Sequence, residues 1–497
     1  MKVAFLSAEA APLAKAGGLG DVVGALPKAL KKMQVDVRIF LPFYGSIDKR
    51  SYRCVKVIDV LEVPVDSRWE KISVWQTKLP RSDVCVYLIK HKFFDAKNIY
   101  TGRRYKVGNN YTRTKIDVER FSFFTQSALA ACQALNFQPA VVHAQDWHTA
   151  LAADMIKTRN LADNFFINTK VLYTIHNLAN QGITSPEIIR YAKVDPNFPI
   201  IKADAKNGDI NFMVQGILGS DLINTVSRRY AVEILYHYQG AGLDNILRQR
   251  KKDLTGILNG IDTQAFDPAT DKFIKYNYSA KDLFKKQNNK IFLQKRLGLP
   301  QDKSKCLVGF ISRLVWQKGI ELITDTLVKN ADCQFVFLGS GQKEYEDYLA
   351  RLAKKYPNKF NVNIKFDVVL AQQIYAASDM LLVPSRFEPC GLTQMIAMRY
   401  GSVPVARRTG GLADTINNYN YSLKRANGFL FTEFSAGALA KILNKAVNLY
   451  YSNPDKWLKL QKNCLRQDFS WERSARQYLA VYKKLLSLDC QGNLEMS

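Results

Sequence analysis

The chain is poor in the residues that hold small or secreted folds together. Its eight cysteines are scattered over 497 residues without a single Cys-x-x-Cys spacing. That excludes a zinc ribbon and a compact disulfide framework, and it suits a reducing compartment. No apolar run is long enough to span a bilayer, so no membrane partner is expected. The opening Met1-Lys2-Val3-Ala4-Phe5-Leu6 resembles a signal peptide only superficially, because its apolar stretch ends by Glu9, and it reads as a first buried strand. Asp-x-Asp is absent, which argues against a metal-bridged sugar-nucleotide site of the single-domain type and leaves cation duty to Arg and Lys. Histidine is scarce at five residues, three of them His143, His148 and His176. His143 and His148 bracket Asp146, yet no HExxH helix and no third imidazole at ligand spacing accompanies them, so no metal site is expected. Acidic side chains are outnumbered 44 to 71, giving a formal net charge of +27. The excess recurs throughout, densest from Lys281 to Lys305, without a zinc finger or aromatic-interleaved RNA motif. It reads as solvated basic surface that concentrates small phosphorylated anions, and no nucleic-acid partner is expected.

What is present is two successive alternations of apolar strand and amphipathic helix, which predict an α/β protein with two doubly wound sheets. In the first half, 3–7, 35–41, 84–89, 140–144, 171–175 and 222–225 read as strands, with helices over 120–135 and 150–158, and 198–219 looks largely helical. In the second half the strands are 306–312, 334–338, 364–367, 380–384 and 403–406. The turn-rich Leu258-Asn259-Gly260-Ile261-Asp262 and Asp267-Pro268 mark the crossing, so the expected domains are 1–258 and 259–473. The Lys-rich stretch after Asp271 reads as exposed. A last amphipathic segment, 474–488, either caps the second domain or crosses back to the first. No solenoid repeat or low-complexity tract interrupts the pattern.

In open α/β sheets ligands sit beyond the C-terminal ends of the strands, and the chemically distinctive residues fall in those loops. After the first strand, Lys15-Ala16-Gly17-Gly18-Leu19-Gly20-Asp21 joins a glycine turn to a helix start, either an anion site of bare backbone N–H groups or a plain tight connection. Ser312-Arg313-Leu314-Val315-Trp316-Gln317-Lys318-Gly319 puts two cations on one strand-end loop, as a diphosphate requires, or as two exposed basic residues. Ser385-Arg386-Phe387-Glu388-Pro389-Cys390-Gly391-Leu392-Thr393 combines a carboxylate able to accept from sugar hydroxyls with a helix start. Cys390 lacks any histidine in its half of the chain to activate it and reads as a small buried spacer. His143-Ala144-Gln145-Asp146-Trp147-His148 and His176-Asn177-Leu178-Ala179-Asn180-Gln181-Gly182 place polar groups and an aromatic ring at strand ends, which suits sugar binding.

Taken in order with Gly240-Ala241-Gly242-Leu243, Asn259-Gly260-Ile261-Asp262 and Thr409-Gly410-Gly411-Leu412, these segments make the chain resemble a bacterial glycogen synthase or plant starch synthase over essentially its full length. The resemblance implies a GT-B architecture, two Rossmann-like domains facing across a cleft, with the C-terminal helix, 474–497, packing back on the first. It implies retaining, metal-independent transfer of glucose from ADP-glucose to the non-reducing end of an α-1,4-glucan such as glycogen, starch or a maltooligosaccharide, with no cofactor. Carried over residue by residue, it gives Lys15, Arg313 and Lys318, with backbone at Gly17, Gly18, Leu392 and Thr393, to the diphosphate. His176, Asn259 and Glu388, with backbone at Cys390 and Gly391, go to the donor glucose. Asp146 and Asp21 would lie near the reacting sugar or on the acceptor side, and Phe366 stands where the family often stacks a Tyr on adenine. Asp146, Asn177, Asn180 and Gln181 face the acceptor. His176, Arg313, Lys318, Glu388 and Asp146 form the implied catalytic set. For retention, a front-face route is favoured, in which the departing phosphate oxygen takes the acceptor proton.

Three departures fall in the first half: Gln145 for a usual His, Asn180 for a usual Tyr, and a basic 102–106 where relatives tend to be acidic. Donor recognition is therefore the firmer expectation. Alternatives are a UDP-glucose-using GT-B transferase with another acceptor, or a glucan-binding paralogue of low activity. The lack of a transit sequence suits a bacterial cytoplasm, although a processed plastid protein would read the same, and oligomeric state is not legible.

Overall fold

A computed structural model describes residues 1–101, 104–107, 110–113, 115–420 and 422–492. Of the basic 102–106 stretch, Gly102 and Arg103 lie outside the described residues. The chain divides into two compact units, the first made of 1–226, 231–257 and the helix that begins at Trp471, the second of 227–230 and 258–470.

The first unit is organised by a nine-stranded sheet. Its strands, in chain order, are β1 Lys2–Leu6, β2 Asp36–Pro42, β3 Val55–Val65, β4 Arg68–Lys78, β5 Cys85–Lys90, β6 Val141–Gln145, β7 Lys170–Ile175, β8 Leu222–Thr225 and β9 Leu254–Gly256. Their spatial order is β9-β8-β7-β6-β1-β2-β5-β4-β3. The run from β9 to β5 is parallel, and the β3–β4 hairpin closes one edge antiparallel. Val3, Ala4, Phe5 and Leu6 are fully buried, as a central parallel strand covered on both faces must be. Phe5 pairs in register with Ile39 on one side and His143 on the other. The β3–β4 hairpin has no counterpart in the sequence reading. As an edge ribbon it leaves Val55, Val60 and Trp69 exposed, so it carries little of the in–out contrast that marks a strand. The stretch 198–219 is broken rather than continuous: Gly208 turns left-handed (φ 87°), ending the short helix Pro199–Asp204 and its 3-10 extension before Phe212–Gly219 begins.

The helix Trp471–Gly492 belongs to this first unit. It is tied to the sheet by two buried tyrosines. Tyr482 hydroxyl lies 2.8 Å from His143 Nδ1, and Tyr478 hydroxyl accepts from Asn224 Nδ2 at 2.9 Å.

The second unit carries β10 Leu307–Ile311, β11 Gln334–Gly339, β12 Phe360–Ile364, β13 Met380–Val383, β14 Val403–Arg407 and β15 Phe429–Phe431. These form one fully parallel sheet in the order β12-β11-β10-β13-β14-β15. Leu293 and Leu299 join Leu307, Val336, Leu338, Leu370 and Ile374 in its core. The basic segment before β10 does not lie wholly in solvent as its composition suggested. Helix Lys286–Arg296 turns Lys286 and Lys290 inward, 3% and 1% exposed. Lys286 Nζ donates to the Tyr375 and Ala376 carbonyls and to Ser402 Oγ, while Lys290 Nζ pairs with Asp379 at 2.6 Å. The partners explain the burial: helix-end carbonyls, Ser402 and the Asp379 carboxylate take the place of water around the two side-chain nitrogens. Desolvation pulls Lys286 down to about 7. Among the described residues no helix is long and apolar enough to cross a membrane.

One buried group in the first unit is poorly served. Asp154, on helix Ala152–Asn160, is 1% exposed and neither carboxyl oxygen has a hydrogen-bond partner among the described residues. Burial raises its pKa to about 7 from an ordinary 3.8. The folded state thus holds this proton more tightly than the unfolded chain, so its stabilisation is complete below about pH 4 and is lost as pH rises through about 7. Asp154→Asn removes that dependence. Denaturant titrations should find the variant more stable than the parent by about 2 kcal/mol at pH 8, with the gap closing toward pH 4; a gap independent of pH would contradict this.

Candidate functional site

Each sheet reverses its winding once. In the first unit the chain passes from β1 outward through β2 and β5, then returns to the other side of β1 as β6; in the second it leaves β10 for β11 and β12 and returns as β13. At each reversal the loops beyond two adjacent strands run in opposite directions and open a crevice. The candidate residues populate the loops after β1, β6 and β7 in one unit and after β10, β12, β13 and β14 in the other, with Asn259 shortly after β9.

The loop after β1 is organised by Glu9, which belongs to none of the sequence motifs. Its carboxylate is 3% exposed, and Oε2 accepts from the Ala16 and Gly17 N–H groups at 2.7 and 2.8 Å. Oε1 accepts from the Tyr100 hydroxyl at 2.6 Å. Two of the backbone donors expected to face an anion are therefore committed to the protein's own carboxylate. Gly18 opens the helix Gly18–Lys32 with no side-chain cap, and a Cβ at Gly18 would meet nothing within 4 Å, so its surroundings are open. Lys15 Nζ reaches Asp21 Oδ1 at 2.6 Å, both partly exposed. Burial raises the Asp21 carboxyl, with Lys15 working against it. The signal for Glu9 was its place three residues past the end of a buried strand.

After β6 comes Asp146, 7% exposed and held at φ 57°, ψ −176°, a conformation rare outside glycine. Its N–H donates to the Thr174 carbonyl at 2.8 Å, and its Oδ1 accepts from the His176 N–H at 3.3 Å. His176 Nε2 lies 2.8 Å from Gln145 Oε1, which places the ring proton on Nε2. Gln145 thus fixes a tautomer, and its own buried Nε2 has no partner among the described residues. Desolvation lowers His176 to about 3, so the ring is neutral. Asn177 Oδ1 accepts from the Ala179 N–H at 3.0 Å, shaping the turn that carries Asn180. Gln181 donates to the Leu178 and Ala241 carbonyls and accepts from Asn211 Nδ2. Trp147, read as a sugar-facing ring, is instead fully buried, where Gly182 (φ 67°) allows the backbone to lie on its indole. His143 is also core: Nε2 sits 2.7 Å from Thr174 Oγ1. No group of His, Cys, Asp or Glu among the described residues could hold a metal ion.

In the second unit Lys318 Nζ pairs with Glu388 Oε2 at 2.6 Å, and Ser385 Oγ donates to the same oxygen at 2.8 Å. Both partners are largely shielded, so the pair is stronger than a surface contact. Arg313 is exposed and forms no ion pair among the described residues. Three glycines let these loops interlock. A Cβ at Gly319 (φ 70°) would fall on the Pro384 carbonyl oxygen, one at Gly410 (φ 44°) on that of Glu388, and one at Gly411 on that of Cys390. The Gly411 N–H donates to the Glu388 carbonyl at 3.0 Å. Cys390 is 6% exposed and burial pushes its thiol up to about 12, so it is no nucleophile. The Asn259 N–H is directed to that thiol, and Asn259 Oδ1 is buried without a partner among the described residues. Gly391 is left-handed (φ 71°), its carbonyl held by Gln394 Nε2 at 2.7 Å, ahead of Leu392 and the short helix Thr393–Arg399. Phe366, beyond β12, is 87% exposed.

The His176 environment is directly measurable. Its imidazole resonances should stay constant between pH 5 and 8 in an NMR titration; a midpoint near 6.5 for His176 would contradict the neutral, Gln145-bound ring.

Family models match both units: that of the starch synthase catalytic domain over residues 2–249, and that of glycosyl transferases group 1 over 292–463. The glycogen synthases of Thermotoga maritima and Thermosipho africanus are each 42% identical over 494 residues, covering 98% of this chain and 99% of theirs. The catalytic domain of starch synthase IV from Arabidopsis thaliana, solved bound to ADP and acarbose, superposes with a TM-score of 0.88 at 35% identity over 98% of this chain and 99% of that one. Sucrose-phosphate synthase from Thermosynechococcus elongatus, 18% identical with a TM-score of 0.57, shares the fold. Two Rossmann-like sheets, strand-end loops bearing the motifs in order and near-complete coverage by these relatives identify the chain as a member of the glycogen synthase family, GT-B glycosyltransferases that build glycogen or starch.

Proposed function

We propose that the enzyme uses ADP-glucose as donor and extends the non-reducing end of an α-1,4-glucan with retention of configuration. The observation that carries this reading is the shielded Lys318–Glu388 pair at the winding reversal of the second sheet, with Arg313, exposed and without an ion pair among the described residues, on the same strand-end loop as Lys318. Two cations there can stabilise charge developing on a leaving diphosphate, Arg through a planar fork and Lys as a point charge. Lys318 and Ser385 both engage Glu388 Oε2, which leaves Oε1 to accept from glucose hydroxyls. Asn259 Oδ1 supplies a second buried acceptor, with backbone at Cys390 and Gly391 alongside. Backbone at Leu392 and Thr393 faces phosphate, and exposed Phe366 stacks on the adenine. In the first unit, Lys15, Gly18 and Asp21 are assigned to donor binding, while Gly17, its N–H held by Glu9, shapes the turn that presents them. Neutral His176 can donate from Nε2 only by leaving Gln145, or accept at Nδ1, and so serves as a hydrogen-bonding group to glucose rather than a charge. Asp146, Asn177, Asn180 and Gln181 are assigned to the acceptor, Gln181 by holding the turn.

No carboxylate here is assigned as a nucleophile. In the front-face route the phosphate oxygen that leaves the anomeric carbon takes the proton of the attacking glucan hydroxyl, so one C–O bond breaks as the other forms on the same face. Support for ADP-glucose comes from the ADP held by the starch synthase IV structure, and for a bacterial cytoplasmic enzyme from the bacterial relatives.

The test is to incubate purified protein with ADP-glucose or UDP-glucose, with and without glycogen or maltooligosaccharides, and follow nucleotide release and chain extension. ADP-glucose should be preferred; equal use of UDP-glucose would sink the donor assignment, and absence of release and extension the whole reading. Arg313→Ala should lower kcat/KM about a hundredfold to a thousandfold, and near-normal turnover would remove it from the mechanism. Lys15→Gln should raise the donor KM far more than it weakens glycogen binding.

A further inference from the structure

The loop 236–243 in the first unit carries a feature that the assignments above leave unused. Tyr236 and Tyr238 are 54% and 71% exposed, with ring centroids 6.0 Å apart and planes inclined by only 28°. Val232, also exposed, precedes them. Neither tyrosine ring is needed to hold the loop, because the backbone does so itself. The Gln239 and Gly240 N–H groups both donate to the Tyr236 carbonyl, at 3.0 and 2.8 Å, and the Leu243 N–H donates to that of Gly240 at 2.8 Å. Arg248 Nη1 clamps the Leu235 carbonyl at 2.8 Å and pairs with Asp244 at 2.9 Å. Ala241 (φ 49°) and Gly242 (φ 82°) complete a tight left-handed turn. A preformed loop that leaves more than half of each ring in solvent keeps apolar surface wet at a free-energy cost that the contact between the two rings only partly offsets.

We propose that Tyr236 and Tyr238 form a stacking platform for an α-glucan chain, a secondary binding surface that holds the polymer beside the acceptor turn; this rests on the glucan-acceptor reading above. A pyranose ring has an apolar C–H face and a polar rim. A pair of tyrosines matches it, because flat rings take the C–H face at small entropic cost while hydroxyls and neighbouring polar groups take the rim. Exposed His237 stands between the two rings in sequence, with Gln239 next along the loop. The link to the acceptor turn is a direct bond: Gln181 Nε2 donates to the Ala241 carbonyl at 2.8 Å, joining the turn after His176 to this loop.

The experiment measures glycogen and maltoheptaose affinity of the full-length protein by affinity electrophoresis and calorimetry, without donor, so that it does not depend on turnover. The double variant Tyr236→Ala/Tyr238→Ala should bind glycogen about five- to tenfold more weakly. Tyr236→Phe/Tyr238→Phe, which keeps both rings, should stay within about twofold of the parent. Melting curves show whether the alanine variant is folded, and the single Tyr238→Ala substitution, at the more exposed ring, serves if it is not. Unchanged glycogen affinity in the alanine variants, or an equal loss in the phenylalanine pair, would overturn the platform while leaving the transferase reading intact. A parent protein that neither binds nor extends glycogen would overturn both.

Discussion

Everything chemically distinctive in this protein depends on the handedness of parallel-strand crossovers. A right-twisted strand followed by a helix returns to the sheet on one side only, so a sheet grown in both directions from its first strand must reverse its winding once. Both sheets begin in their middle, at β1 and at β10, and both reverse beside that strand. The reversal parts the loops at the carboxyl ends, and within each unit the residues with unusual geometry gather there: Glu9 and Asp146 in one, the Lys318–Glu388 pair in the other.

The second unit brings its loops together by omitting side chains. Gly319, Gly410 and Gly411 each lie on a carbonyl oxygen of the 384–390 segment, and a methyl group at any of them would push the Glu388 loop away. Charge is treated with similar economy in the core. Lys286 and Lys290 are buried because carbonyls, Ser402 and Asp379 receive them, whereas buried Asp154 has no such reception and holds its proton instead.

Much of this was legible beforehand where the signal is local. Central strands such as Val3–Leu6 announce themselves as short apolar runs, and glycine-rich or charged strand-end loops stand out against them. The β3–β4 hairpin did not, because an edge ribbon with exposed valines lacks one-sided alternation. Trp147 was legible as an aromatic at a strand end, but not as a core residue, since only the fold brings Gly182 over its indole. The buried lysines were hidden for the same reason: composition counts charges, while burial depends on partners such as Asp379, far along the chain. Gln145 was visible as a departure, and only the contact with His176 reveals that it settles where the imidazole proton resides.

Glu9 changes how the first loop should be regarded. By seating its carboxylate on the Ala16 and Gly17 amides, with Tyr100 on its other oxygen, the chain supplies an internal counter-anion that shapes the turn during folding. A glycine-rich segment left to itself would have to surrender its conformational freedom each time an anion arrived. Here the protein's own carboxylate supplies that ordering from within the fold.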